Sequence, residues 1–357
     1  MAEYFVKLNA DKATLLIPMP GKLVHIILTF ISVTCIGLIE ANAQDPVFSQ
    51  FYSAPLQLNP GLAGIAYGPN ISINYRNQWP SLNSAYQTYA VSYDQFFNDF
   101  NSGVGISVLS DNAGNGILKT NKVSLFYSYR VKINHQWEMR LGLEAGFFQT
   151  RLDWNKLVFL DQLDPQFGPI SPGGTPYPSE EVQPDNLNQA YFDMGVGGVI
   201  YSEKLYVGVT LKHLNTPGQG YLDINNNLSG GLPIRWSVHA GSEFKLNRGN
   251  NQYWQPFISP GVMFVSQGAS RQINVGTMIG FGEFYGGVWY RHANKNPDAV
   301  IGAIGFRTGA FKITYSYDAT ISKLSFDSGG SHEIGINITI DNGSREWIYN
   351  DCFSIFR

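Results

Sequence analysis

The chain has 357 residues, of which only 14% are charged and 14% aromatic, with 38 glycines. Soluble domains carry about 25% charged residues, so this mix is unusual for a soluble enzyme and ordinary for a β-barrel in a membrane. A formal net charge of −3 gives no electrostatic case for nucleic acid.

In chain order the first feature is an apolar run, 23–39, led by Lys22 and followed by Ala41-Asn42-Ala43. A basic residue, an apolar core and an Ala-x-Ala site are the parts of a secretory signal peptide. Residues 1–43 are therefore read as a leader cleaved before Gln44, with Met19 as an alternative start. The competing reading, a transmembrane helix, has a run of about 17 residues, at the short limit for a span. Cys35 would leave with the leader, so the mature chain would keep one thiol, Cys352, and no intramolecular disulfide.

Residues 44–69 show no alternation, and 44–64 carries three prolines. This segment is a candidate lumen plug, since larger barrels need filling. From residue 70 the chain reads as strands at 70–78, 86–94, 103–110, 120–131, 136–148, 190–201, 204–212, 235–245, 254–264, 271–281, 284–291, 299–307, 310–318 and 331–340. That is fourteen, an even number, as single-chain bacterial barrels require. The expected fold is all-β: a transmembrane antiparallel barrel over 70–340, followed by a periplasmic tail, 341–357.

The alternation is clearest in the last two strands. Phe311, Ile313, Tyr315 and Tyr317 share one face, with Lys312, Thr314, Ser316 and Asp318 on the other. Ile334, Ile336, Ile338 and Ile340 alternate with Glu333, Gly335, Asn337 and Thr339. Period two puts one whole face in oil and the other in a polar environment. A soluble sandwich alternates as well; the leader, the low charge and the number of long strands favour a barrel whose charges point into the lumen.

The connections carry a second signal. One set, 95–102, 132–135, 202–203, 246–253, 282–283 and 308–309, is short on average. The other, 79–85, 111–119, 149–189, 213–234, 265–270, 292–298 and 319–330, holds the three longest. Short periplasmic turns and longer outer loops are the barrel asymmetry.

No catalytic, cofactor or metal site emerges, and the chain is read as a non-enzyme. The six histidines lack metal-ligand spacing with a second His or Cys. Ser331-His332-Glu333 suggests a triad, but neighbouring strand residues point to opposite faces. Gly103-Val104-Gly105 and Gly195-Val196-Gly197-Gly198 sit inside strands with no helix following, so close packing or bending of a wall is preferred to a phosphate cradle. Asp161, Asp164 and Asp185 read as a solvated loop rather than a calcium site.

Several stretches carry a family resemblance. The mature start runs Asp45-Pro46-Val47-Phe48-Ser49-Gln50 and continues to Asn59-Pro60-Gly61-Leu62-Ala63-Gly64. Arg76-Asn77-Gln78-Trp79 and Ser92-Tyr93-Asp94 follow, then His213-Leu214-Asn215, Gly287-Val288-Trp289-Tyr290-Arg291, Tyr317-Asp318 and His332-Glu333. In order and spacing these resemble the PorP/SprF family of type IX secretion system outer-membrane proteins, over nearly all of 44–340. Gly61 stands where the family usually has Ala, and the Cys352–Arg357 tail lacks the family's Pro.

The resemblance implies a 14-stranded barrel in the outer membrane of a Bacteroidota-type cell, surrounded by lipid. Its implied partner is a secreted type IX substrate, commonly a large adhesin or gliding protein, or a periplasmic or outer-membrane protein of the secretion machinery. The alternative is an outer-membrane transport pore for a small solute. Tyr177, Tyr191 and Tyr221, assigned to the outer loops, are candidate partner contacts; covering the lumen mouth is the equal alternative.

Overall fold

The computed structural model describes residues 44–66, 68–82, 85–218, 231–246, 256–294, 296–323, 326–340 and 352–356. The leader assigned to 1–43 with its cleavage site, Tyr221, and residues 341–351 lie outside the described residues.

The wall begins with β1 (Asn70–Gln78), β2 (Tyr86–Phe97), β3 (Ser102–Ala113), β4 (Leu118–Lys132) and β5 (Glu138–Leu152). It continues with β6 (Asn188–Tyr201), β7 (Leu205–Lys212), β8 (Arg235–Ser242), β9 (Phe244–Lys245) and β10 (Phe257–Gln267). The last strands are β11 (Ser270–Phe281), β12 (Phe284–Ala293), β13 (Asn296–Thr308), β14 (Phe311–Thr320) and β15 (Ser331–Thr339). β8 and β9 are two pieces of one wall strand, both paired with β10 on either side of Glu243. Every neighbour is antiparallel, and β1 pairs with both β2 and β15, so fourteen wall strands close into a ring. Closure leaves no edge, which is what a sheet in lipid requires.

The alternation settles which side faces lipid. Ile304, Leu125, Leu143 and Val288 point outward and are exposed, while Lys312, Thr314, Ser316 and Asp318 are buried inside. All fourteen expected strands are present. Their bounds differ most at the long-loop end, where connections expected at 111–119, 265–270 and 292–298 shrink to 114–117, 268–269 and the step from Ala293 to Asn296. There the strands run past the apolar zone with polar side chains on both faces, so the alternation that marks a strand fades before the strand ends. Gly268 and Asn294 make two of these tight turns at φ 55° and 51°.

The barrel is filled. Residues 44–66 lie inside it, contacting strands around the ring, with Gln50, Ser53, Leu56, Asn59, Leu62 and Ile65 fully buried. This segment forms one short helix, α1 (Pro55–Leu58), and a 3-10 turn, Pro60–Leu62. Proline opens each, because its fixed φ suits a first helical position and its missing N–H costs nothing there. The Asn59 side chain accepts from Gly61 N–H at 2.8 Å and starts the second turn. Of the tail, Cys352, Phe353, Ile355 and Phe356 are buried within the same core as Phe51 and Tyr52.

The long loop 153–187 and the connection that leaves β7 at His213 lie at one end of the barrel, with the short turns 202–204, 282–283 and 309–310 at the other. Barrels of the outer membrane characteristically carry their long loops outside and their short turns in the periplasm.

Candidate functional site in the filled lumen

The plug crosses the lumen from end to end. Asp45 lies at the long-loop end, 2.8 Å from His213 Nε2 and 3.4 Å from Arg235 Nη1. Its N–H donates to Gln267 Oε1 at 2.9 Å. His213, just past β7, also places Nδ1 3.0 Å from Asp193 Oδ1. Burial pulls the His213 pKa down, but Asp45 and Asp193 outweigh it and hold it above 6.5. Burial likewise pushes Asp45 up, yet His213 and Arg235 hold it well below the usual carboxylate range.

One layer deeper, the plug backbone is gripped by charge. Ser49 and Gln50 N–H donate to the two oxygens of Glu333 at 2.9 and 2.8 Å. Ser49 Oγ donates to Asp318 at 2.6 Å and accepts from Arg76 at 2.7 Å and Arg291 at 2.9 Å. Arg76 bridges Glu333 at 2.9 Å and Asp318 at 3.0 Å, and Arg291 reaches Asp318 at 2.8 Å and also Asp298. Gln78 Oε1 accepts from Arg76 Nε at 3.3 Å. A buried ion pair repays its desolvation only when its remaining donors and acceptors are satisfied. Here the plug's own backbone and Ser49 hydroxyl supply the missing partners, so network and plug stabilise each other.

Toward the short-turn end the grip is steric as well as polar. Asn59 Nδ2 donates to the Gly198 and Val209 carbonyls at 3.2 and 3.1 Å. Ala63 O accepts from Ser128 Oγ at 2.7 Å and Arg140 Nη1 at 3.0 Å. Gly64, at φ 72°, donates to Asp94 at 2.7 Å. Between these anchors the plug backbone lies directly on wall glycines. A Cβ at Gly142 would stand 2.6 Å from Pro60 O and closer still to Gly61 N, and one at Gly103 would meet Ala63. The glycine-rich strands thus make room for the plug.

The residues singled out in the sequence divide into groups. Ser49, Gln50, Arg76, Gln78, Asp318 and Glu333 come together in the charged layer. Asp45 belongs to the His213 cluster beside half-buried Pro46, and Phe48 packs with Ala54, Ala90 and Leu109. Asn59, Pro60 and Gly64 hold the lower plug. Trp79, at φ 57°, donates its N–H to Gly330 O at 2.8 Å and sets its ring edge-on to Tyr86. Tyr317 and His332 face outward with ring centroids 5.1 Å apart, and His332 Nδ1 lies 2.8 Å from Tyr315 OH. His332 therefore points away from buried Glu333 and Ser331, which rules out the triad.

Tyr177 is half-buried in the long loop, its N–H on Pro169 O at 3.2 Å and its carbonyl accepting from Gln162 at 2.7 Å. Tyr191 is not a loop residue. It lies on β6, paired with Phe148, and the two rings stack at 5.0 Å. Asp161 and Asp164 are spent on the loop's own order, accepting from Ser179 and Glu180 and from Gln166 and Phe167. Sequence reasoning missed Arg291 and Asp193 as functional positions. Inward charges such as Lys122, Arg140, Glu144 and Lys312 are common in this wall, so position on the inward face alone could not have singled them out.

A closed ring of strands, apolar outside and polar and filled inside, defines an integral outer-membrane β-barrel. The arrangement inside it holds the backbone of the chain's own residues 44–66. The chain belongs to the family described as type IX secretion system membrane protein PorP/SprF, which matches residues 40–338. No curated protein matches the chain. Among solved structures it is similar to the toluene transporter TbuX of Ralstonia pickettii, at 10% identity and TM-score 0.44, covering 81% of this chain and 94% of that one. It is also similar to the outer-membrane protein Omp33 of Acinetobacter baumannii, at 7% identity and TM-score 0.41, covering 77% and 98%.

Proposed function

We propose that this barrel assists the secretion or cell-surface anchoring of one cognate large secreted protein, an adhesin or gliding-type substrate of the type IX system, and that it is not an enzyme. Family membership supplies the secretion system. The observation that carries the reading further is the plug: a lumen filled by the chain's own residues 44–66 suits a protein-binding scaffold better than a transport pore for a small solute. The substrate would meet the long-loop face, where loop 153–187 exposes Leu160, Phe167, Ile170 and Val182. Exposed apolar side chains on a loop held by a rigid wall are a usual form of recognition surface.

Shortening residues 166–186 tests this. The barrel should still assemble and migrate in heat-modifiable form, while surface retention of the cognate substrate falls. Full gene deletion is the reference. If deletion leaves both secretion and attachment of that substrate intact, the partner reading is wrong. Ion conductance of the purified barrel, comparable with an open porin, would favour the solute pore instead.

A further inference from the structure

A second set of contacts lies at the short-turn mouth, away from the long loops. Residues 352–356 lie there without joining any strand of the wall. They are held by side chains. Glu243, at the break between β8 and β9, accepts from Ser354 N–H at 3.1 Å and from Ser354 Oγ at 2.8 Å. Lys312 Nζ donates to the Ile355 carbonyl. Phe353 packs edge-on to Tyr201 at 4.8 Å, and both Phe353 and Phe356 lie 5.5 Å from the Tyr206 ring. Phe356 N–H closes a turn on Phe353 O at 2.9 Å.

These contacts have the form of ligand recognition. Glu243 reads one residue through backbone and side chain together, a lysine caps the next carbonyl, and the Tyr206 ring receives both phenylalanines. All the groups that do the reading, Tyr201, Tyr206, Glu243 and Lys312, belong to the wall. The wall's backbone ladders owe nothing to the tail, so its departure breaks none of them. Peptide sites elsewhere combine main-chain hydrogen bonds with side-chain pockets in the same way.

We propose that the short-turn mouth is a peptide-binding site for an aromatic–Ser–x–aromatic segment, filled in cis by residues 353–356 and able to take a free peptide of the same chemistry in their place. The site lies at the opposite end from the proposed substrate surface and does not rest on that reading.

The test uses the full chain with a site-specific protease sequence inserted between Gly343 and Ser344. After assembly in the outer membrane the linker is cut, and a fluorescein-labelled peptide of residues 350–357 carrying Cys352→Ser is added. Cut protein should bind it saturably and uncut protein should not. Ser354→Ala and Phe356→Ala peptides should bind at least about tenfold more weakly, since each loses a hydrogen bond to a charged group or a buried ring. Glu243→Gln in the barrel should weaken the parent peptide similarly. Three results would each overturn the proposal: no uptake by cut protein that remains heat-modifiable, equal uptake by cut and uncut protein, or equal binding of a scrambled peptide. The peptide variants decide the matter even if the Glu243 variant fails to assemble.

Discussion

Gly142→Ala is the sharpest perturbation of the plug. Gly142 faces the lumen on β5, and an added methyl would stand 2.6 Å from Pro60 O, where ordinary contact needs about 3.4 Å. The offending atoms are plug backbone, so no side chain can rotate away. The plug must lift by about 1 Å while its neighbours Asn59 and Ala63 remain tied to the wall. Overpacking of this kind costs about 1–3 kcal/mol. A loss of that size raises the population of undocked plug about 5- to 150-fold. The assay is maleimide labelling of a Ser53→Cys reporter in a Cys352→Ala background, because Ser53 is fully buried in the docked plug. Gly302→Ala is the control, since a Cβ there meets nothing within 4 Å. If Gly142→Ala labels at the rate of the control, the plug does not rest on the wall at this point.

Three further expectations follow from the same geometry. Arg at Ile336 or Ile338 should impair membrane assembly, by about 2–4 kcal/mol near the midplane. Arg at Asn337 should be no milder, because Asn337 is buried and donates to Ser53 O at 3.0 Å and Ser72 Oγ at 2.8 Å; equal heat-modifiability of the Asn337 variant and the parent would refute this. Glu333→Ala takes one of the two carboxylates from Arg76 and leaves two plug N–H groups without their acceptor, so the heat-modifiability midpoint should drop, consistent with about 3–5 kcal/mol for breaking a buried pair. Docking of the plug's leading end should depend on pH. His213 is raised, so its contribution is full below 6.5 and lost as pH rises through its higher folded value. Asp45 is lowered, so its contribution is full above 3.8 and lost only as pH falls through its depressed value. Labelling of Val47→Cys should therefore be slowest between those limits and rise on the alkaline side; His213→Gln should abolish the alkaline rise.

The wall was legible because lipid imposes a rule on every second residue, and a rule repeated over fourteen strands survives local noise. It was least legible where strands leave the membrane: Asp111 and Asn112 extend β3, and Asn296 to Asp298 extend β13, with no alternation to mark them. The site was legible only in pieces. Ser49, Arg76, Asp318 and Glu333 could be picked out singly, but their meeting depends on the register of β1, β14 and β15, which alternation alone does not determine. Arg291 escaped because its role appears only once β12 is placed beside β13. Tyr191 falls within the strand expected at 190–201, so counting it among the loop residues conflicted with that strand, and its pairing with Phe148 places it on the wall. Residues 44–64 announced themselves by lacking alternation, which says what they are not; their anchors are spread over the whole ring and leave no local trace.

The grip on Ser49 and Gln50 has a consequence for synthesis. The Ser49 N–H to Glu333 bond joins residues 284 apart, as does the bond from Asn337 to Ser53 O. The plug, which precedes every strand of the wall, is thus completed by the last strand, β15. A chain broken off before β14 would have its plug and most of its wall, yet two backbone donors of the plug, and Arg76 beside them, would find no carboxylate. Such groups are costly to bury unpaired. Seating of the plug is therefore coupled to the presence of β14 and β15: a product lacking them would carry the plug without its charged anchors.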